Sequence, residues 1–302
     1  MAQRQAPVGT AFARGDDTPR QDLAGRRSAP PTPTAVRGAA AAAHTGGAAA
    51  VSGTPRRTDP WPDWARSQLE AAVLLARSAP HGTNVATLLH RDWFVPRFAG
   101  RTSTARPTVR PLAGVYRAAH AGADVRRTSS GLSVLARHDV VATDGWWRTW
   151  GESWTPPRDR ARSMSIAFSP RPARLGAFVR VITSALLDSS ESWLLGCAVS
   201  AGRMRRVGGA VLILPDLDAL PDNLLDEVSG LLNPVASPLS APLRPGAALT
   251  IAPTNGMTFG EHRCHLIALA LRQPAAADDP LGAIASVFTA HGVHPAAPWR
   301  SR

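Results

Sequence analysis

The chain has 302 residues, 34 of them arginine and none lysine, set against 17 aspartates and 5 glutamates for a formal net charge of +12. That length supports one large domain or two small ones, and the charge favours an anionic partner such as nucleic acid, a membrane surface or phosphorylated groups. Two cysteines exclude a disulfide framework, and the longest strongly apolar run, residues 207–215, is about half of the roughly 20 residues that cross a bilayer, so no membrane-spanning helix is expected.

Residues 1–58 consist of Ala, Pro, Gly, Thr and Arg with almost no large apolar side chains, a composition that cannot offset the entropy of ordering. They predict a disordered arm, with eight arginines against three aspartates. High-GC coding bias also produces an arginine-rich, lysine-free chain, so charge alone does not select a ligand. The arm offers no groove-reading motif, which ranks nucleic acid last among the partners. Arg26-Arg27 before an alanine-rich stretch imitates a twin-arginine signal, but Pro30, Pro31, Pro33 and Arg37 interrupt it, and a cytoplasmic location is expected.

The folded domain is expected over residues 59–302. Asp59-Pro60 and Asp63 supply helix-start chemistry, after which Leu69, Ala72, Val73 and Ala76 recur at helical spacing up to Pro80. An apolar stretch over residues 85–98 and a short helix over 111–120 complete a mainly helical portion, 59–130. Residues 131–302 read as a strand–helix core. Short apolar runs around the Asp144-Gly145 turn predict strands, and Trp146, Trp147, Trp150 and Trp154 read as a satellite core rather than a stacking platform.

From Met164 the order sharpens. Strands are predicted over residues 164–168, 193–199 and 210–214, and helices over 175–186 and 217–232. An arginine-rich loop is expected at 202–206 and a proline-punctuated connection at 234–253. The fold class is α+β, a helical N-terminal portion followed by a mixed sheet with packed helices, preceded by the disordered arm.

Thr258-Phe259-Gly260-Glu261 fits a capping box, so a helix starts there and runs to about Gln273. Free amides at a helix N-terminus beside arginine make a phosphate site. His262, Cys264 and His265 are close in sequence, but neighbouring helical side chains diverge by about 100° and no second ligand pair is present, so no metal is expected. No cofactor motif is present, and no nucleophile elbow supports a serine hydrolase.

Residues 164–300 resemble the HopA-type effector family. The resemblance rests on Phe168-Ser169-Pro170 closing a strand, Ser192-Trp193-Leu194-Leu195 before a second, and Arg206 ahead of Ala210-Val211-Leu212. It is strongest where Pro242-Leu243-Arg244-Pro245-Gly246 precedes Thr258-Phe259-Gly260-Glu261-His262-Arg263-Cys264. The family includes plant-pathogen effectors and actinobacterial lyases that work with a kinase in lanthipeptide and thioamide-peptide biosynthesis. The resemblance implies a partner kinase that phosphorylates Ser or Thr of a precursor peptide, and a lyase that removes the α-proton and expels phosphate. Such chemistry needs a base, an acid and phosphate-gripping cations, a role that suits the arginine fork.

Three polar positions of the family pattern are lost. Gly196 stands where the pattern places a lysine, Gly208 where it has an aspartate, and Met164 or Ser165 where it has an arginine. Arg206, Arg263, Thr258 and Gly260 remain as the expected phosphate- or peptide-binding set, and His262 is the candidate replacement base, with His265 and His138 behind it. The sequence therefore predicts a relative degenerate at the base position that binds a phosphopeptide, a kinase or a precursor peptide. A diverged phospholyase with a non-lysine base and an effector-like interaction protein are the alternatives.

Overall fold

The computed structural model describes residues 60–96, 112–128, 131–154, 163–251 and 257–301. The arm expected over residues 1–58 lies outside them. Helix α1 (Asp63–Arg77) buries Ala65, Leu69, Ala72 and Val73 on one stripe, with Asp63 in its first turn and Arg77 in its last, each placed favourably for the helix dipole. Helix α2 (Val85–Leu89) is capped by Asn84, whose Oδ1 accepts from the Thr87 N–H at 3.2 Å. It then widens into a π-helical turn, His90–Phe94. Helix α3 (Leu112–Ala119) follows, and then a hairpin in which β1 (Asp124–Thr128), not foreseen from the sequence, pairs with β2 (Gly131–Leu135).

The main sheet holds seven strands in the order β3-β4-β6-β7-β5-β9-β8: β3 (Asp139–Val141), β4 (Trp146–Trp150), β5 (Met164–Phe168), β6 (Leu194–Ala198), β7 (Ala210–Leu214), β8 (Ala241–Arg244) and β9 (Ala247–Thr250). The α+β class holds, and every pairing in this sheet is antiparallel. Alternation along the strands divides its faces. Trp147, Leu195, Cys197, Leu212, Ile166, Phe168 and Leu249 are buried beneath α4 (Leu175–Leu186) and α3. Phe168 meets Phe178 edge-on at 5.4 Å, and the Tyr116 hydroxyl donates to the Ala198 carbonyl at 2.7 Å. The cross-strand register places Trp146, Arg148, Gly196, Val211, Ala167 and Ser165 on the opposite face.

A second core joins α1, α2 and the π-turn to α7 (Phe259–Ala270) and α8 (Pro280–Ala290). Trp61 seals its edge, 5.4 Å from Phe288 and donating Nε1–H to the Leu281 carbonyl. Two connections differ from the sequence reading. The expected loop at 202–206 begins as α5 (Ala201–Met204), because Ser200 Oγ accepts from the Arg203 N–H and caps it. The expected helix over 217–232 shortens to α6 (Leu224–Ser229), since Asp216 Oδ1 captures the Ala219 N–H in a turn and Pro221 cannot donate to a preceding helical turn. Among the described residues no helix is long and apolar enough to cross a membrane.

Candidate functional site

The π-turn packs on the first turn of α7, Arg203 of α5 faces Glu261 there, and the β3–β4 turn is joined to α5 through Arg203. Thr258 caps α7 as its sequence predicts. Its Oγ1 accepts from the Glu261 N–H, and Glu261 Oε2 accepts from the Thr258 N–H at 2.9 Å and from the hydroxyl at 2.7 Å. The cap therefore brings its own carboxylate to the helix start. Burial alone would raise the Glu261 carboxyl, but the Thr258 hydrogen bonds, with His90 and Arg203, hold it below the ordinary range.

Gly260 is a contact point. A β-carbon there would lie 2.4 Å from Phe94 Cε1, so only glycine lets the α7 backbone rest on that ring. Phe94 also stacks on His90, with ring centroids 5.9 Å apart and planes 9° from parallel, which sets the imidazole beside the α7 cap. His90 is half-buried, and among the described residues no group hydrogen-bonds its ring. Burial pulls its pKa below the usual value; Glu261 opposes this, and Arg203 and Arg206 add to it.

Arg206 reaches back to the π-turn, donating from Nη1 to the carbonyls of Arg91 at 2.9 Å and Val95 at 3.0 Å. It thereby satisfies acceptors at a helical C-terminus. Arg203 is exposed, donates to the Asp144 carbonyl at 3.0 Å and places its guanidinium 5.1 Å over the Trp146 ring. The turn beneath it needs Gly145 at φ +79°, and Asp144 pairs with Arg148. Trp146 in turn covers Gly196: a β-carbon at Gly196 would sit 3.4 Å from the indole Cε3. Of the two candidates for the expected arginine position, Ser165 shares that face of the sheet and Met164 does not. Gly208 lies just before β7 in a left-handed conformation, φ +71°, donating its N–H to Ser169 Oγ.

The other residues singled out from the sequence lie elsewhere. Arg263 is completely buried: Nε donates to the Pro298 carbonyl at 2.8 Å, Nη1 to His262 Nδ1 at 2.6 Å, and both terminal nitrogens lie 3.3 Å from Ser301 Oγ. Its guanidinium lies 4.5 Å from the Phe259 ring centroid and 5.9 Å from that of Phe288, and burial lowers its pKa to about 9. His262 is nearly as deeply enclosed, and burial followed by the Arg263 charge pulls it down to about 4. His265 is exposed one turn along α7 from Glu261, Cys264 is buried, and His138 stacks on Trp150. The structure thus gathers Thr258, Gly260 and Arg206, and seals His262 and Arg263 behind them.

Sequence reasoning missed His90, Arg203, Glu261 and Trp146 as parts of one cluster. Arg203 lay in the arginine-rich segment and Trp146 in the tryptophan group, but His90 carried no signal within its apolar stretch. The cluster presents two guanidinium groups, a half-buried imidazole and one carboxylate, an arrangement suited to gripping an anion and exchanging a proton with it.

Residues 210–300, from β7 through the C-terminal segment, match the HopA1 effector protein family. The solved structure of the effector protein from Pseudomonas syringae pv. tomato strain DC3000 is similar in fold, with a TM-score of 0.53 and 11% sequence identity over 79% of this chain and 97% of that one. No curated protein matches the chain in sequence. The HopA1 family signature thus lies across the C-terminal part of the chain, and the fold it shares with this effector extends over most of its length.

Proposed function

We propose that this HopA-type protein binds a phosphorylated Ser- or Thr-containing peptide at the α7 cap without removing its α-proton. It is then a base-deficient relative of the phospholyases that work with a kinase on a precursor peptide in ribosomal peptide biosynthesis. In this reading it acts in the cytoplasm, holding the phosphopeptide or presenting it to the kinase. The carrying observation is the sheet face beside the cluster. Gly196 and Ser165 hold no titratable side chain where the resemblance expects lysine and arginine, and Trp146 covers Gly196, while Arg203 lies over Trp146 and Arg206 reaches the π-turn beyond it. Grip survives there and the expected base does not. Arg203 and Arg206 take the phosphate, and Arg263 fastens α7 from inside.

Calorimetric titration with a phosphoserine peptide and its unphosphorylated counterpart tests this. Binding is expected for the phosphorylated form alone, weakened about tenfold by Arg203→Gln with the melting temperature unchanged, as for loss of one charge-assisted contact. Mass spectrometry of the recovered peptide is expected to show intact phosphoserine. Loss of phosphoric acid would make the chain a diverged phospholyase, and equal affinity for both peptides would remove the phosphate reading.

A further inference from the structure

His90 is the one group of the cluster whose charge can change near neutral pH. Its ring is held flat against Phe94, which Gly260 locks to the α7 start, so its position follows from backbone packing rather than from a flexible side chain. Three charged groups from other elements face it: Glu261 of α7, Arg203 of α5, and Arg206 after α5. On its own turn, Arg91 and Asp92 form an exposed pair with each other. The residue is half-buried, and no group among the described residues hydrogen-bonds its ring.

We infer that His90 is a third ligand of the bound phosphate and takes up a proton when the phosphate dianion arrives, so that the site selects a doubly charged phosphoester over a singly charged carboxylate. This rests on the phosphate reading proposed above. In the free protein, burial foremost and then the two arginines pull the imidazole toward its neutral form, with Glu261 only partly offsetting them. A dianion seated between the arginines cancels their repulsion, and the imidazolium then adds a second N–H donor and a charge. The proton comes from solvent, and no covalent bond changes. A monoanion offsets less of the arginine charge and draws a smaller proton uptake.

The linkage has a definite sign. Because the bound-state pKa lies above the free-state one, the extra affinity is complete below the free-state value and is lost as pH rises through the bound-state value. Titration of the full chain at pH 7 with a phosphoserine peptide, in two buffers of different ionisation enthalpy, reads the protons directly. The expected result is net uptake on the order of half a proton per peptide bound, and an affinity falling severalfold between pH 6.5 and 8. His90→Gln keeps an N–H donor without the titration. In that variant the uptake is expected to vanish and the affinity to become nearly independent of pH over this range.

Zero or negative uptake by the wild-type protein overturns the inference whether or not the variant folds, and so does equal uptake by wild type and variant. In either case tight binding leaves the phosphate reading standing. Failure of the phosphopeptide to bind at all overturns both. A peptide with aspartate at the same position is expected to bind more weakly and with less uptake, and equal values for the two peptides would sink the proposed selectivity.

Discussion

Two histidine–arginine clusters flank the first turn of α7, and they have opposite physics. His262 and Arg263 are buried, bonded to each other and tied to Pro298 and Ser301. His90 and Arg206 are half-buried beside the same turn and Arg203 is exposed, and no group among the described residues hydrogen-bonds the His90 ring. Both pairings have the composition of a phosphate site. Burial decides which can serve as one, because a guanidinium sealed inside the fold on buried acceptors loses much by leaving them, whereas Arg206, although it donates from Nη1 to two π-turn carbonyls, is only half-buried and Arg203 is exposed.

The comparison breaks most visibly at Arg263. Arg263→Met is expected to destabilise the fold by about 3 kcal/mol, because the Pro298 carbonyl and His262 Nδ1 are left buried without their donor. That corresponds to a fall of about 9 °C in melting temperature for a domain of this size, measurable by circular dichroism. Phosphopeptide affinity well below the melting point should stay within about threefold of wild type, as for a site the substitution does not touch. A variant that melts normally but no longer binds would exchange the roles of the two clusters.

Acid sharpens the same contrast. The folded His262 is pulled down to about 4 from an ordinary value of 6.5, by burial first and Arg263 second. Between those values the unfolded chain binds more protons than the native one, so stability is complete above about pH 6.5 and is lost as pH falls toward 4. Urea unfolding at pH 7 and pH 4.5 should show a loss of about 2 kcal/mol in wild type beyond that in His262→Gln, whose amide oxygen can still accept from Arg263. Equal losses would mean that the His262 pocket admits water and a proton more freely than its burial implies.

The sequence reading succeeded where structure is local. Met164–Phe168, Leu175–Leu186 and Ala210–Leu214 were legible to the residue, since uninterrupted apolar runs and a clean helical stripe leave no competing period. The Thr258–Glu261 box was legible because both partners lie within one turn. The 234–253 segment read as a connection because prolines suggest one, yet it holds the β8–β9 hairpin. Pro242 is tolerated because β8 is the sheet's edge, and Gly246 at φ +82° makes the turn. The site was harder. His90 meets Glu261 and Arg206 only through folding, and nothing local distinguishes Arg206, which caps the π-turn, from Arg263, which is entombed.

Gly196 carries the smallest expected effect and decides where the ligand runs. A β-carbon there meets Trp146 at 3.4 Å and the Val211 carbonyl at 3.8 Å, ordinary contacts, and alanine loses less backbone entropy than glycine on entering a strand. Gly196→Ala should therefore change stability by less than about 0.5 kcal/mol. If the indole merely covers a vacant position and the peptide is held at the α7 cap, calorimetry should find its affinity unchanged as well. A loss beyond about threefold with stability intact would mean that the peptide backbone approaches the sheet at Gly196 closely enough to need a missing side chain. The glycine would then be part of the binding surface, and the bound segment would cross the open face past Trp146 rather than stop at Arg203 and Arg206.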